Sequence, residues 1–115
     1  VHGVAGVNTI ALAMQLRLNT IPLSPLPFYT REVAIDGSRY NFSFSWNRRL
    51  NCHFLTITDA FGNVNIQNKK LNIGEKVLPL NLPKNSNWFL YYYSAGNSTI
   101  LDKPQDFTLG AFVLE

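Results

Sequence analysis

Apolar and polar residues alternate along this chain in short runs, most clearly in Tyr40-Asn41-Phe42-Ser43-Phe44-Ser45-Trp46. Every second residue there is aromatic and every intervening one is small and polar, so a β-strand places all four rings on one face. A helix would scatter them, and Ser and Asn compete with helical hydrogen bonding. The same period of two recurs on both sides. Gln15 to Asn19 alternates and predicts a first strand, and Thr30 to Asp36 predicts another with Val33 and Ile35 on one face. Asp36-Gly37 is a hairpin-turn signal, from which Arg39 to Trp46 returns antiparallel. After the polar turn Asn47 to Asn51, the run Cys52 to Asp59 puts Phe54, Thr56 and Thr58 on one face and His53, Leu55 and Ile57 on the other. Phe61-Gly62-Asn63 turns the chain into Val64 to Gln67, where Val64 and Ile66 are expected to point the same way. Three adjacent hairpins make a meander.

Prolines and aromatics organise the rest. Ile21-Pro22-Leu23-Ser24-Pro25-Leu26-Pro27 lacks three backbone donors and has its φ fixed at the prolines, which predicts an extended edge or a crossing segment. Val77 to Pro83 contains two prolines and resists a long central strand. Trp88 to Tyr93 is apolar or aromatic at every position, so both faces of that strand need a cover, the core on one side and another layer or chain on the other. Phe107 to Leu114 closes the chain as a final apolar strand, and no helical period is sustained over three turns. The expected fold is all-β, a small antiparallel barrel or compact sandwich built from a β-meander.

Composition adjusts this picture. At 115 residues the chain has room for one core, with a single β domain expected over residues 14–115. Residues 1–13 are small and weakly apolar, lack the basic n-region of a secretory signal, and are expected to form an N-terminal extension that is flexible or ordered by a partner. Charged residues make up only 15%, which suggests that a partner covers part of the surface, and the net charge of +3 is spread rather than blocked. No run approaches the roughly 20 apolar residues of a membrane-spanning helix.

Candidate chemistry is sparse. Cys52, the one cysteine, excludes an internal disulfide, and although His53 adjoins it, strand neighbours point to opposite faces and cannot form a nucleophile–base pair. Two histidines, His2 and His53, are too few for a His-based metal site. The carboxylates Glu32, Asp36, Asp59, Glu75, Asp102 and Asp106 read as turn or solvated residues, so no catalytic residue, metal or cofactor is expected. Tyr91 and Tyr93 with Arg48, Arg49, Lys69 and Lys70 form a weak case for an OB-like nucleic-acid module, and specific nucleic-acid binding is not expected. Exposure of Trp46, Trp88 and Tyr92 would instead suit a carbohydrate- or receptor-binding module.

A run of ordered motifs carries more. Thr20 to Pro27, the strand and Asp-Gly turn after it, Phe54-Leu55-Thr56-Ile57-Thr58-Asp59 with its Asp-x-x-Gly turn, Leu71-Asn72-Ile73-Gly74, and Asp106-Phe107-Thr108-Leu109-Gly110 with the closing strand together resemble the small baseplate plug proteins of contractile-tailed bacteriophages. The chain departs from that pattern in residues 1–13 and in Trp88 to Tyr93, where a more Gly-rich segment is expected. The resemblance implies an all-β, non-enzymatic structural protein of the virion tail baseplate, assembled in the host cytoplasm. Such a protein plugs or organises the distal end of the tail tube beside hub, spike, tube or neighbouring plug subunits. Ile21, Pro22, Leu23, Pro25 and Pro27, offered for β-augmentation, with Arg48, Arg49, Tyr91 and Tyr93, are the expected partner-binding residues, because aromatics and Arg are enriched at interfaces. A carbohydrate- or receptor-binding β-module of the tail tip is the alternative.

Overall fold

A computed structural model describes residues 16–83, 86–94, 96 and 101–114. The expected extension over residues 1–13 lies outside them. Among the described residues there are eight strands: β1 (Leu16–Ile21), β2 (Phe28–Ile35), β3 (Ser38–Asn47), β4 (Cys52–Asp59), β5 (Val64–Lys70), β6 (Lys76–Val77), β7 (Trp88–Ser94) and β8 (Phe107–Leu114). They form two four-stranded antiparallel sheets, ordered β1-β8-β7-β6 and β2-β3-β4-β5. Of the two expected architectures the sandwich is the one adopted, and the sheets do not close into a barrel.

The second sheet is the expected meander. Asp36 and Gly37 both take positive φ, 52° and 81°, the backbone a two-residue primed turn demands, and from there β2 and β3 pair in unbroken register from Ile35↔Ser38 to Phe28↔Ser45. The rings of Tyr40, Phe42 and Phe44 are buried and that of Trp46 half-buried on the inner face. Leu55, Ile57 and His53 join them from β4, leaving Phe54, Thr56 and Thr58 on the other face. From the first sheet, Trp88, Leu90, Tyr92, Leu109, Ala111 and Val113 complete one continuous apolar cluster.

β5 departs from simple alternation. Ile57 pairs with Ile66 but Thr58 pairs with Val64, so Asn65 is an extra residue, a β-bulge. Val64 therefore turns outward while Ile66 is buried, and the two do not share a face. A second bulge follows where Leu55 pairs with Lys69; Asn68 takes φ 44° there and its N–H donates to Thr56 Oγ1 at 2.9 Å. Asn65 is itself buried, and its amide donates to the carbonyl of Leu80 at 2.7 Å while Leu80 N–H donates back to the Asn65 carbonyl at 3.0 Å. The stretch after β6 is thus stitched to the edge of the opposite sheet, and of Val77 to Pro83 only Val77 is in a strand.

The proline-bearing stretch crosses from β1 to β2. Its expected extended edge is bent instead: Ser24 N–H donates to Tyr29 Oη at 2.8 Å and Leu26 N–H to Ser24 Oγ at 3.2 Å. With the three prolines lacking N–H groups, little donor capacity is left for a strand-like ladder, so the crossing presents carbonyls and apolar surface rather than a strand edge.

Candidate partner surfaces

The sheet that contains β7 has two different faces. Register places Phe89, Tyr91 and Tyr93 outward, beside Leu114, Phe112, Gly110 and Thr108 of β8, Leu18 and Thr20 of β1 and Lys76 of β6. Phe89 and Phe112 stack at 5.3 Å with planes 8° apart, and the Lys76 ammonium lies 5.0 Å from the Phe89 ring centre. Because β6 and β8 flank β7 on opposite sides, both faces of Phe89 are occupied, and it presents an edge to solvent. Gly110 makes this possible. A Cβ there would meet Leu18 Cδ1 at 2.9 Å, Phe112 Cε1 at 3.2 Å and Tyr93 Cε1 at 3.4 Å, so neighbouring side chains lean over the glycine. By contrast the outer face of the meander carries Thr30, Glu32, Arg39, Asn41 and Ser43, with Thr30 and Ser43 hydroxyls 3.1 Å apart and Arg39 paired with Glu32 at 3.4 Å.

One end of the sandwich gathers most of the expected partner-binding residues. Trp46 N–H donates to the Pro27 carbonyl at 2.8 Å, which brings the crossing beside the β3–β4 turn, where Arg48 and Arg49 are exposed. Asn47 Oδ1 accepts from the N–H groups of Arg49 and Leu50 at 3.0 and 2.9 Å and fixes that turn. Pro22, Pro25 and Pro27 are exposed and Leu23 is half-buried. Ile21 is only 2% exposed and belongs to the core, so its expected contact role is corrected: its neighbours in the crossing are the ones available to a partner. Tyr91 and Tyr93 stand on the aromatic face rather than beside the arginines.

The same end holds a hollow of about 260 Å³ lined in part by Cys52, Leu71, Tyr92, Leu101 and Phe107. Behind it His53 is fully buried, ringed by Phe44, Trp46, Tyr92 and Phe107 at 4.9 to 6.1 Å, with Nδ1 2.7 Å from Tyr92 Oη and Nε2 without a hydrogen-bond partner. Burial lowers the His53 pKa to about 4 and pushes the Tyr92 phenol well up, so both are neutral. Burial likewise raises the Cys52 thiol, against a smaller opposing pull from Lys70. The thiol and the imidazole are both buried and neutral, Cys52 beside the hollow and His53 bonded to Tyr92. Alternation gave no sign of the His53–Tyr92 bond, since its partners lie 39 residues apart.

Trp88 and Tyr92, considered for sugar stacking, are 2% and 0% exposed, and Trp46 packs against His53 and Phe107. Of the basic residues considered for nucleic acid, Lys69 is paired with Glu75 at 2.8 Å. Among the described residues no cluster of three or more His, Cys, Asp or Glu side chains is placed to hold a metal ion, and no helix is long and apolar enough to cross a membrane.

Comparison with known proteins places these features in a family. No curated protein and no solved structure matches the chain. A family model described as cyanophage baseplate Pam3 plug gp18 matches residues 18–112, from the edge strand β1 almost to the end of the closing strand β8. That span takes in both sheets, the proline crossing, the aromatic face and the hollow, so the chain belongs to the phage baseplate plug family and has a structural role in the baseplate.

Proposed function

We propose that this domain closes or organises the distal end of the tail tube, beside hub and spike proteins, by contact alone. The observation that carries this reading is the outer face of the β1-β8-β7-β6 sheet. Leu18, Phe89, Tyr91, Tyr93 and Phe112 form a contiguous apolar surface of the kind obligate interfaces bury, whereas the outer face of the opposite sheet is hydroxyl-rich and charged over most of its length, with Phe28 and Phe54 at one end. Phe89, stacked on Phe112 and with the Lys76 ammonium over its ring, is poorly placed to stack on a sugar ring. In this reading Pro22, Leu23, Pro25 and Pro27 with Arg48 and Arg49 make a second contact at the crossing end, where the guanidinium groups meet backbone or carboxylate oxygens of a neighbouring tail protein.

The replacement of Tyr91 and Tyr93 together by Glu tests this. Both side chains are outward, so the domain is expected to fold and melt cooperatively while its incorporation into tails falls sharply. Incorporation at the level of the unmodified chain, or labelled chain found away from the tail tip in reconstructions of virions, would overturn the proposal.

A further inference from the structure

The two ends of β4 carry complementary shapes. At the Asp59 end the β4–β5 turn projects Phe61, which is 91% exposed, the highest value among the described large apolar side chains. The turn is not loose. Asp59 Oδ1 accepts from Phe61 N–H and Asn63 N–H, each at 2.9 Å, and Oδ2 accepts from Asn63 Nδ2 at 3.0 Å. The backbone adds Asp59 N–H to the Asn63 carbonyl at 2.9 Å and Gly62 N–H to the Asp59 carbonyl at 3.1 Å, with Gly62 at φ 85°. A turn held by five hydrogen bonds fixes the backbone that carries the phenyl group, so docking it orders only the side chain and not the loop.

At the Cys52 end, about 24 Å away along an eight-residue strand, lies the hollow of about 260 Å³. Its walls include Leu71, Tyr92, Leu101 and Phe107, and Leu50 and Ile73 on its rim are 52% and 48% exposed. This is below the roughly 300 Å³ at which ligand pockets begin. It is open to solvent and mixes Asn51, Lys70 and Asn72 with its apolar walls, so it is a shallow, half-polar depression with room to receive one aromatic ring. Charges match as well: Lys70 borders the hollow with Arg48 and Arg49 in the adjoining turn, and the Asp59 carboxylate forms the base of the projecting turn. Partial desolvation pushes the Asp59 carboxyl up, but the hydrogen bonds from Asn63, Phe61 and Gly62 outweigh it, so the group is anionic at neutral pH.

We infer that this chain binds a second copy of itself head to tail, Phe61 of one copy entering the hollow between Leu50 and Ile73 of the next. The knob and the hole lie on different surfaces of one chain, so the contact is heterologous. A joined pair keeps one free hole on the first copy and one free knob on the second, and repetition builds a ring if the rotation closes or a filament if it does not. The inference goes beyond the plug reading and does not depend on it, because it uses neither the aromatic sheet face nor any other tail protein.

Sedimentation velocity over a concentration series tests it with two variants, Phe61→Ser and Ile73→Arg, both at exposed positions where folding is preserved. The unmodified chain is expected to associate with rising concentration. Phe61→Ser is expected to weaken association by about tenfold or more, as loss of a central aromatic anchor does, and Ile73→Arg to do the same by filling the mouth of the hollow. The mixture is diagnostic: Phe61→Ser keeps the hole and Ile73→Arg keeps the knob, so together they form a one-to-one dimer that grows no further. A monomeric unmodified chain at millimolar concentration, Phe61→Ser associating like the unmodified chain, or a mixture that stays monomeric would each overturn the inference. None of these results bears on tail incorporation, which tests the plug reading separately.

Discussion

His53 is the residue whose chemistry most depends on the fold. Its imidazole is enclosed by four aromatic rings and bonded on one nitrogen only, so burial holds its pKa near 4 against an ordinary value of 6.5. The unfolded chain takes up a proton as pH falls through 6.5 and the folded chain only near 4, so between those values the unfolded state binds more protons. Stability therefore falls as pH is lowered across that window, by up to about 3 kcal/mol in all, and is unaffected by this group above it. Urea denaturation at half-unit pH intervals is expected to show the slope, and His53→Leu, although less stable at neutral pH through the unpaired Tyr92 hydroxyl, is expected to flatten it between pH 6.5 and 4.5. At this scale the sequence was informative about rings and silent about pairs. Period-two alternation alone put Tyr40, Phe42 and Phe44 inside. The His53–Tyr92 bond joins residues 39 apart and the outward stack of Phe89 on Phe112 joins two different strands, and nothing in either local pattern marks them.

Hairpins and turns are the elements that local chemistry explains best. Asp36-Gly37 adopts the positive-φ pair expected of it, and Asp59 gathers the donors of its own turn as an Asx residue does. Replacing Asp59 by Ala removes three acceptor contacts at once and is expected to speed hydrogen exchange at the Phe61 and Asn63 amides and to lower the melting temperature, with the far strands unchanged. Unaltered exchange at those two amides would show that the backbone bonds alone hold the turn. β5 is where the local reading failed. Val64 and Ile66 stand two apart and so appear to share a face, but the Asn65 bulge inserts one residue between them. Its cause is not local: the Asn65 side chain turns inward to meet the Leu80 carbonyl, fifteen residues away, and a bulge is what lets it do so.

Over the whole molecule, the two long sides of the sandwich are closed by unequal means. Between β5 and the stretch after β6, Asn65 and Leu80 exchange side-chain and backbone hydrogen bonds in a buried setting. At the β1 and β2 side, Arg17 reaches Asp36 at 3.9 Å with both side chains partly exposed, a contact worth little after solvent screening. β2 also turns Arg31 inward, an inward charge of the kind that blunts an edge against unwanted pairing. Asn65→Ala is accordingly expected to cost about 0.5–1.5 kcal/mol by removing the part-buried hydrogen bond to the Leu80 carbonyl, measured by chemical denaturation. Phe42→Ala, which empties the centre between the sheets, is expected to cost about 3–5 kcal/mol.

The sequence by itself determined the all-β class, the meander from β2 to β5, the aromatic inner face of β3 and the likeness to baseplate plugs. The first three rest on alternation and turn residues, each decided within a few residues of itself, and the likeness rests on the order of short motifs along the chain. Tertiary structure decided the rest: sandwich rather than barrel, the bent proline crossing, the burial of Ile21 and Trp88, the aromatic outer face, and the placing of Phe61 and the hollow at opposite ends of one strand. These depend on which strands become neighbours across the sheets, and that choice follows from how one core closes over residues drawn from the whole chain, beyond what a short window of sequence encodes.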